Sequence, residues 1–324
     1  MKKNGLLLAL IVALCPLILT AQMSENLKKG IELFGAEKYT ESKTFFTEDI
    51  KNGSENFESY VHLGKILAHE GNFEKATEMF IKSVEINPQS SDAHLWLGIS
   101  YLGQMQNASF MEQGIYSGKA LDNYKKAIEL DPYNIEARIR LANYYINAPS
   151  IAGGSVKRAK EQAEEIIKYS PSEGQKLMAE IYIKEDKMDL ALEMYSELIK
   201  NEPNNTDLYY QLGMLHQKTK NFEEAFNTFE KALKIDPKAF DSMYQIGRTS
   251  VFSKQNLDRG IESFKEYLKF DQPSGLPGHD SVHWRLGMLY EIKSEKDLAK
   301  AEYEKAVKLN PEDNKYKEAL AKLN

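Results

Sequence analysis

The hydrophobic positions of this chain return at a fixed interval, as small, aromatic and proline residues set between charged and polar stretches. Ala191, Tyr195 and Pro203 are followed 34 residues later by Ala225, Phe229 and Pro237, and an earlier copy of the triplet stands at Ala76, Phe80 and Pro88. An interval of this length predicts a pair of helices repeated in series, whose core grows lengthwise, and not one enclosed core. Each position has a physical reason. Gly64 lets two antiparallel helices approach, Ala76 keeps a bulky branch out of their crossing, and Leu and Phe fill the volume beside it. Pro88 lacks the N–H that a continuing helix needs, so it ends the pair.

The clearest units read Leu212-Gly213, Phe222, Ala225, Phe229, Ala232, Pro237 and Leu286-Gly287, Tyr290, Ala299, Tyr303, Ala306, Pro311. They resemble tetratricopeptide repeats. The resemblance implies an all-α, right-handed solenoid of helical hairpins, with about eight repeats over residues 23–311 and a capping helix over 312–324. The first unit is degenerate, with Gly30, Leu33, Tyr39 and Phe46 in phase but Ser42 at the expected alanine position.

Irregular connections are expected near 102–119, 146–157 and 271–279. In the third unit the return-helix signature comes late, at Ala120, Tyr124, Ala127 and Pro132, so the insertion either lengthens the hairpin or loops out. Phe110 and Met111 are expected to cover that junction, with partner contact as the alternative. The fourth unit is interrupted by Ala148-Pro149 and Gly153-Gly154, which predict a turn; no Walker arrangement accompanies the glycines. Pro and Gly residues over 271–278 predict a turn that changes the angle between the last hairpins, or a recognition loop.

The N-terminus follows another logic. Lys2-Lys3 precede an apolar run from Gly5 to Leu19, and Ala21 offers a cleavage point before Gln22. This pattern predicts a signal peptide over residues 1–21 and a mature protein in the bacterial periplasm or outside the cell, with peripheral outer-membrane association also open; a retained anchor is the alternative. Cys15, the single cysteine, lies in that segment, and Leu14 before it and Pro16 after it make a poor lipobox. Cleavage would leave a mature chain without disulfides.

Charge narrows the partners. With 42 basic and 48 acidic residues the formal charge is -6, which disfavours nonspecific nucleic-acid binding. No chemistry of catalysis is apparent: the six histidines form no HExxH motif, and acidic runs such as Glu223-Glu224 read as solvated helix faces. His62 and His69 read as surface groups in helical register; His279, Asp280 and His283 make an incomplete ligand set. No enzyme activity, cofactor or metal is expected.

Function is therefore expected in recognition. In tetratricopeptide solenoids the first helix of each hairpin lines the inner surface, and the resemblance places Tyr210, Met214, Tyr244, Arg248, Trp284 and Met288 there, with Lys65 and Asn143 as polar contacts in the preceding half. Aromatic faces, adaptable methionines and a guanidinium suit an extended peptide or an amphipathic helix of a protein partner in the cell envelope. The expected role is a periplasmic or extracellular binding module that assembles or delivers a partner. The alternatives are a structural scaffold for an envelope complex and an accessory binder of a small molecule or polymer.

Overall fold

A computed structural model describes residues 23–272 and 274–323. The expected signal segment lies outside the described residues. Those residues form seventeen α-helices and no strand. The chain divides into two compact units, the first ending at Leu141 and the second beginning at Ala142.

The first unit stacks three antiparallel hairpins: α1 (Glu25–Gly35) with α2 (Tyr39–Lys51), α3 (Phe57–His69) with α4 (Phe73–Ile86), and α5 (Ser91–Gln104) with α6 (Phe110–Leu130). Helix α7 (Ile135–Asn147) carries the chain from one unit to the next. In the second unit α8 (Val156–Ile167) precedes four hairpins: α9 (Pro171–Lys184) with α10 (Met188–Asn201), α11 (Thr206–Lys218) with α12 (Phe222–Ile235), α13 (Phe240–Ser253) with α14 (Leu257–Tyr267), and α15 (His279–Ile292) with α16 (Lys296–Leu309). Helix α17 (Asn314–Ala321) packs on α16, brings Ala319 and Leu320 against the last core cluster and sets Tyr316 beside Trp284, covering the cluster's apolar edge.

What pairs the helices is a ring seated on a glycine. Phe80 of α4 lies on Gly64 of α3, Tyr124 on Gly98, Phe229 on Gly213, Phe264 on Gly247 and Tyr303 on Gly287; a β-carbon on any of these glycines would stand 2.4–2.7 Å from the ring. All five rings are at most 1% exposed, so none can yield. Ala142 and Ala179 take the glycine's place in the fourth and fifth units. Ser42 is tolerated at an alanine position because its hydroxyl donates to the Gly30 carbonyl at 2.8 Å, which leaves no buried polar atom unpaired.

Local signals set the ends. Asn56, Asn72 and Ser90 cap α3, α4 and α5 by accepting from backbone N–H groups of the first turn. Inside the hairpins the tight turn needs a left-handed residue, and Gly71 supplies it with φ 78°. Glu37, Asp186, Lys220 and Ser294 adopt the same conformation without being glycine, at φ 59–64°. Packing of the flanking helices must offset that local cost of about 1 kcal/mol each.

The irregular connections resolve in three ways. The first lengthens the return helix: after one 3-10 turn, Ser109 and Glu112 form a reciprocal cap and α6 runs 21 residues. Phe110 and Met111 do not cover the junction as expected; they are 90% and 80% exposed, because the extra turns of α6 carry them past the packed part of the hairpin. The second connection is bound back onto α7. Tyr144 donates to the Ala152 carbonyl at 2.6 Å, and the Ser155 N–H to the Tyr145 carbonyl at 2.8 Å. Gly154 is required there, since a β-carbon would stand 1.8 Å from the Ala148 carbonyl oxygen, a backbone atom. The third is fixed at its end by Tyr267, which donates to the Pro277 carbonyl at 2.9 Å.

Candidate functional site

In the first unit the successive first helices leave an apolar groove of 390 Å³, lined by Phe34, Tyr39, Ile66, Phe73 and Trp96 among others. Lys65 stands at its rim, as the residue directly after Gly64. Its ammonium donates to Asp92 at 2.8 Å and lies 5.3 Å from the Trp96 ring centre, so the side chain is held in place by a charge and an aromatic face together. His62, read from the sequence as a surface group, is inside instead: its ring stacks on Phe46 at 5.1 Å and meets Phe34 edge-on at 4.8 Å. Burial pushes its pKa down to about 4, with Lys65 adding to the shift and Asp92 opposing it. His69 is exposed and rests on Tyr39.

The remaining seven candidates lie in the second unit. Asn143 borders a polar cleft of 520 Å³ with Ile146, Asn147, Glu180, Ile183, Lys184 and Lys218. Tyr210 and Met214 are half-buried against the cluster of Ala225, Phe226, Phe229 and Ile246. Tyr244 is placed differently from the others. Only 5% exposed, it packs on Phe264 and Tyr267, which leaves it little surface to offer a ligand. Trp284 is half-buried and shares its surroundings with the terminal helix, its ring centre 5.8 Å from that of Tyr316 and 5.4 Å from the Lys315 ammonium. Met288 packs on the same terminal cluster. Arg248 lies over Phe252 at 4.9 Å, and its one polar contact among the described residues, to Gln245 Oε1, is long at 3.5 Å.

Two further first-helix residues, Glu180 and Arg285, escaped the sequence reading. Glu180 follows Ala179 as Met214 follows Gly213 and Arg248 follows Gly247, so the repeat register alone was enough to find it. Its carboxyl is pushed up by burial, then by the charges of Asp207 and Glu173. Arg285, next to Trp284, has its guanidinium 5.0 Å from the Trp284 ring centre and 5.3 Å from that of Tyr244. No periodic signal marks it, because its meaning depends on what surrounds it. The histidine and aspartate of the incomplete ligand set do not converge: His283 bonds Glu302 at 2.5 Å, while Asp280 accepts from Asn310 and Tyr316.

Among the described residues no helix is long and apolar enough to cross a membrane, and no group of three acidic, histidine or cysteine side chains is placed to hold a metal. Within the second unit, Tyr210, Met214, Arg248, Trp284 and Met288 are half-buried side chains on first helices, while Tyr244 is buried.

Comparison with known proteins agrees. Models described as tetratricopeptide repeat match residues 57–90, 177–205, 206–239 and 280–313. The chain is 25% identical over 275 residues to the protein O-mannosyl-transferase TMTC3 of Homo sapiens, covering 82% of this chain and 29% of that protein. It is 23% identical over 250 residues to the BBSome complex member BBS4 of Bos taurus, covering 77% and 44%. The chain thus spans less than half the length of these curated relatives. Among solved structures, a tetratricopeptide repeat protein from Parabacteroides merdae superposes with a TM-score of 0.59 at 14% identity, over 82% of this chain and 97% of the other. Repeats of this kind build protein-binding or scaffolding surfaces. With the repeat matches falling in both units on hairpins whose rings and glycines interlock in one register, the chain belongs to the tetratricopeptide-repeat family.

Proposed function

We propose that the chain is a binding module that holds an extended segment of a protein partner along the first helices of its second unit, and so assembles or delivers that partner. One observation carries the reading. The residues after the glycine or alanine of each first helix, Asn143, Glu180, Met214, Arg248 and Met288, take no part in seating the ring that pairs each hairpin, yet they recur in a single register. A row with one period and several chemistries suits a ligand that is itself a chain.

The test begins with capture of partners from a cell-envelope extract, followed by equilibrium titration of each recovered partner. A Met214→Ala, Arg248→Ala double variant is expected to bind at least about tenfold more weakly while its helical circular dichroism is retained. Unchanged affinity in a folded variant would reject the row as the binding surface. The groove beside Lys65 and Trp96 favours a second reading, an accessory binder of a small apolar ligand.

The place of action in this proposal is the periplasm or the extracellular space of a bacterium, supported by the Lys2-Lys3 pair, the apolar run to Leu19 and the Ala21-Gln22 step. Intact-mass measurement of the protein recovered from the producing cell should show loss of residues 1–21. Recovery of the full-length chain alone, in the cytoplasm, would overturn it.

A further inference from the structure

The lengthened helix α6 carries an apolar face turned away from its own hairpin. Its packed side is set by Ala120, Tyr124 and Ala127, which are buried. On the other side Phe110, Met111 and Ile115 are 90%, 80% and 55% exposed. Helical spacing puts them on one face with Gly114 and Gly118, four and eight residues after Phe110. This is a well-made stretch of helix and not a fraying end, since Ser109 and Glu112 cap it reciprocally. Contiguous exposed apolar surface of this kind marks an interaction site.

The two glycines say how a partner approaches. Glycine weakens a helix interior, and among the described residues every other glycine inside a helix has a neighbour against it, most often the ring that pairs the hairpin. A β-carbon on Gly114 or Gly118 would meet nothing within 4 Å. Two glycines in one helix are therefore a cost that no internal contact offsets, and what they permit is a close approach from outside. The three apolar side chains expose about 400 Å² per copy, so two copies would cover roughly 800 Å² through them alone, against the ~1,600 Å² of a standard stable interface. That area fits a contact that forms at micromolar concentration and dissociates on dilution.

We propose that the occupant is a second copy of this chain, and that two α6 helices cross antiparallel about a twofold axis at Gly114. The face is self-complementary, as a twofold contact requires. Within the chain, helices are paired by a ring seated on a glycine, as Phe229 sits on Gly213; the exposed face of α6 holds both halves of that device, the ring at 110 and the seats at 114 and 118. With the axis at Gly114, Phe110 of each copy falls on Gly118 of the other, and the two Gly114 residues mark the closest approach. Charge agrees with this register. Glu112 of each copy comes within about one helical turn of the exposed Lys119 of the other, on the same flank, so opposite charges meet twice. The proposal is independent of the peptide-binding row, which belongs to the second unit.

Sedimentation velocity of the full chain from about 1 to 500 µM should show a monomer passing to a dimer, half-converted at tens of micromolar. Phe110→Ser and Gly114→Gln should each weaken that dimer at least about tenfold. At low concentration Gly114→Gln should melt no lower than wild type, because its side chain meets nothing in the free chain and glutamine favours a helix over glycine. Cross-linking fixes the geometry. With Cys15→Ser, so that no other thiol is present, Gly114→Cys should oxidise to a disulfide-linked dimer. Lys125→Cys, exposed on the same helix and about 16 Å further along it, should not, whereas a parallel pair would join at both positions. A chain that stays monomeric throughout overturns the proposal, and its co-sedimentation with vesicles of phosphatidylethanolamine and phosphatidylglycerol would make the face a membrane contact instead. A dimer that survives both Phe110→Ser and Gly114→Gln, or that cross-links equally through both cysteine variants, overturns it as well.

Discussion

Phe229→Ala is expected to cost about 3–5 kcal/mol, the range for emptying a buried phenylalanine site. The ring is fully buried, and one face lies on Gly213 so closely that a β-carbon there would come within 2.4 Å. Gly213→Val should also destabilise, by about 1–3 kcal/mol or more, because the valine must displace a ring that has nowhere to go. The informative variant carries both changes. With the ring removed, the valine enters the vacated volume, so the double variant should be more stable than the sum of the two costs predicts by about 1 kcal/mol or more. Chemical denaturation of the four proteins closes this cycle. Strict additivity would mean that the ring and the glycine do not share one packing site.

That interlock also explains what was legible in the sequence. The positions 212, 213, 225 and 229 report directly on a helix crossing, since size at each is dictated by contact with the next, and so the all-helical fold and the hairpin order could be read. The capping helix was readable from its apolar spacing, with Ala319 and Leu320 against the last cluster. Phe110 and Met111 were misread because hydrophobicity says that a side chain gains from burial and nothing about whether a neighbour is within reach. His62 was misread for the opposite reason: polarity suggests exposure, but Phe34 and Phe46 enclose it from another helix pair. The row proposed for binding is defined by register, as at Met214 and Arg248. Tyr244 shares the register of Tyr210 and Trp284, three residues before the glycine, and yet is covered by Phe264 and Tyr267, because burial depends on the neighbouring hairpin and not on phase alone.

The stability of the first unit should fall as pH drops from 6.5 to about 4, through His62. A histidine in the unfolded chain takes up a proton near pH 6.5, whereas in the folded unit burial delays this to about pH 4. Between those values the unfolded state binds more protons, so acidification favours it; above pH 6.5 the contribution is constant. The shift corresponds to at most roughly 3 kcal/mol, reduced by the solvent access that the ring retains. His62→Phe places an aromatic ring between Phe34 and Phe46 and removes a buried Nδ1 that has no hydrogen-bond partner among the described residues. Urea denaturation of wild type and variant at pH 7 and pH 4 isolates the effect, since every other titrating group is common to both. Wild type should lose more stability than the variant over this interval. Equal losses would show that the imidazole is not held neutral.

The helices touch mainly their neighbours in chain order: α3 meets α1, α2, α4 and α5, and α15 meets α13, α14 and α16. Little loop-closure entropy must be lost before any one contact forms, so each unit can nucleate at whichever hairpin closes first and zip outward from it. Proteins rich in such local contacts fold in microseconds to milliseconds, and by the same token they open piecemeal. Amide exchange should accordingly be slowest in the inner hairpins of each unit and quicken toward its ends, and a nick in a terminal hairpin should fray that end while the rest of the stack stays folded.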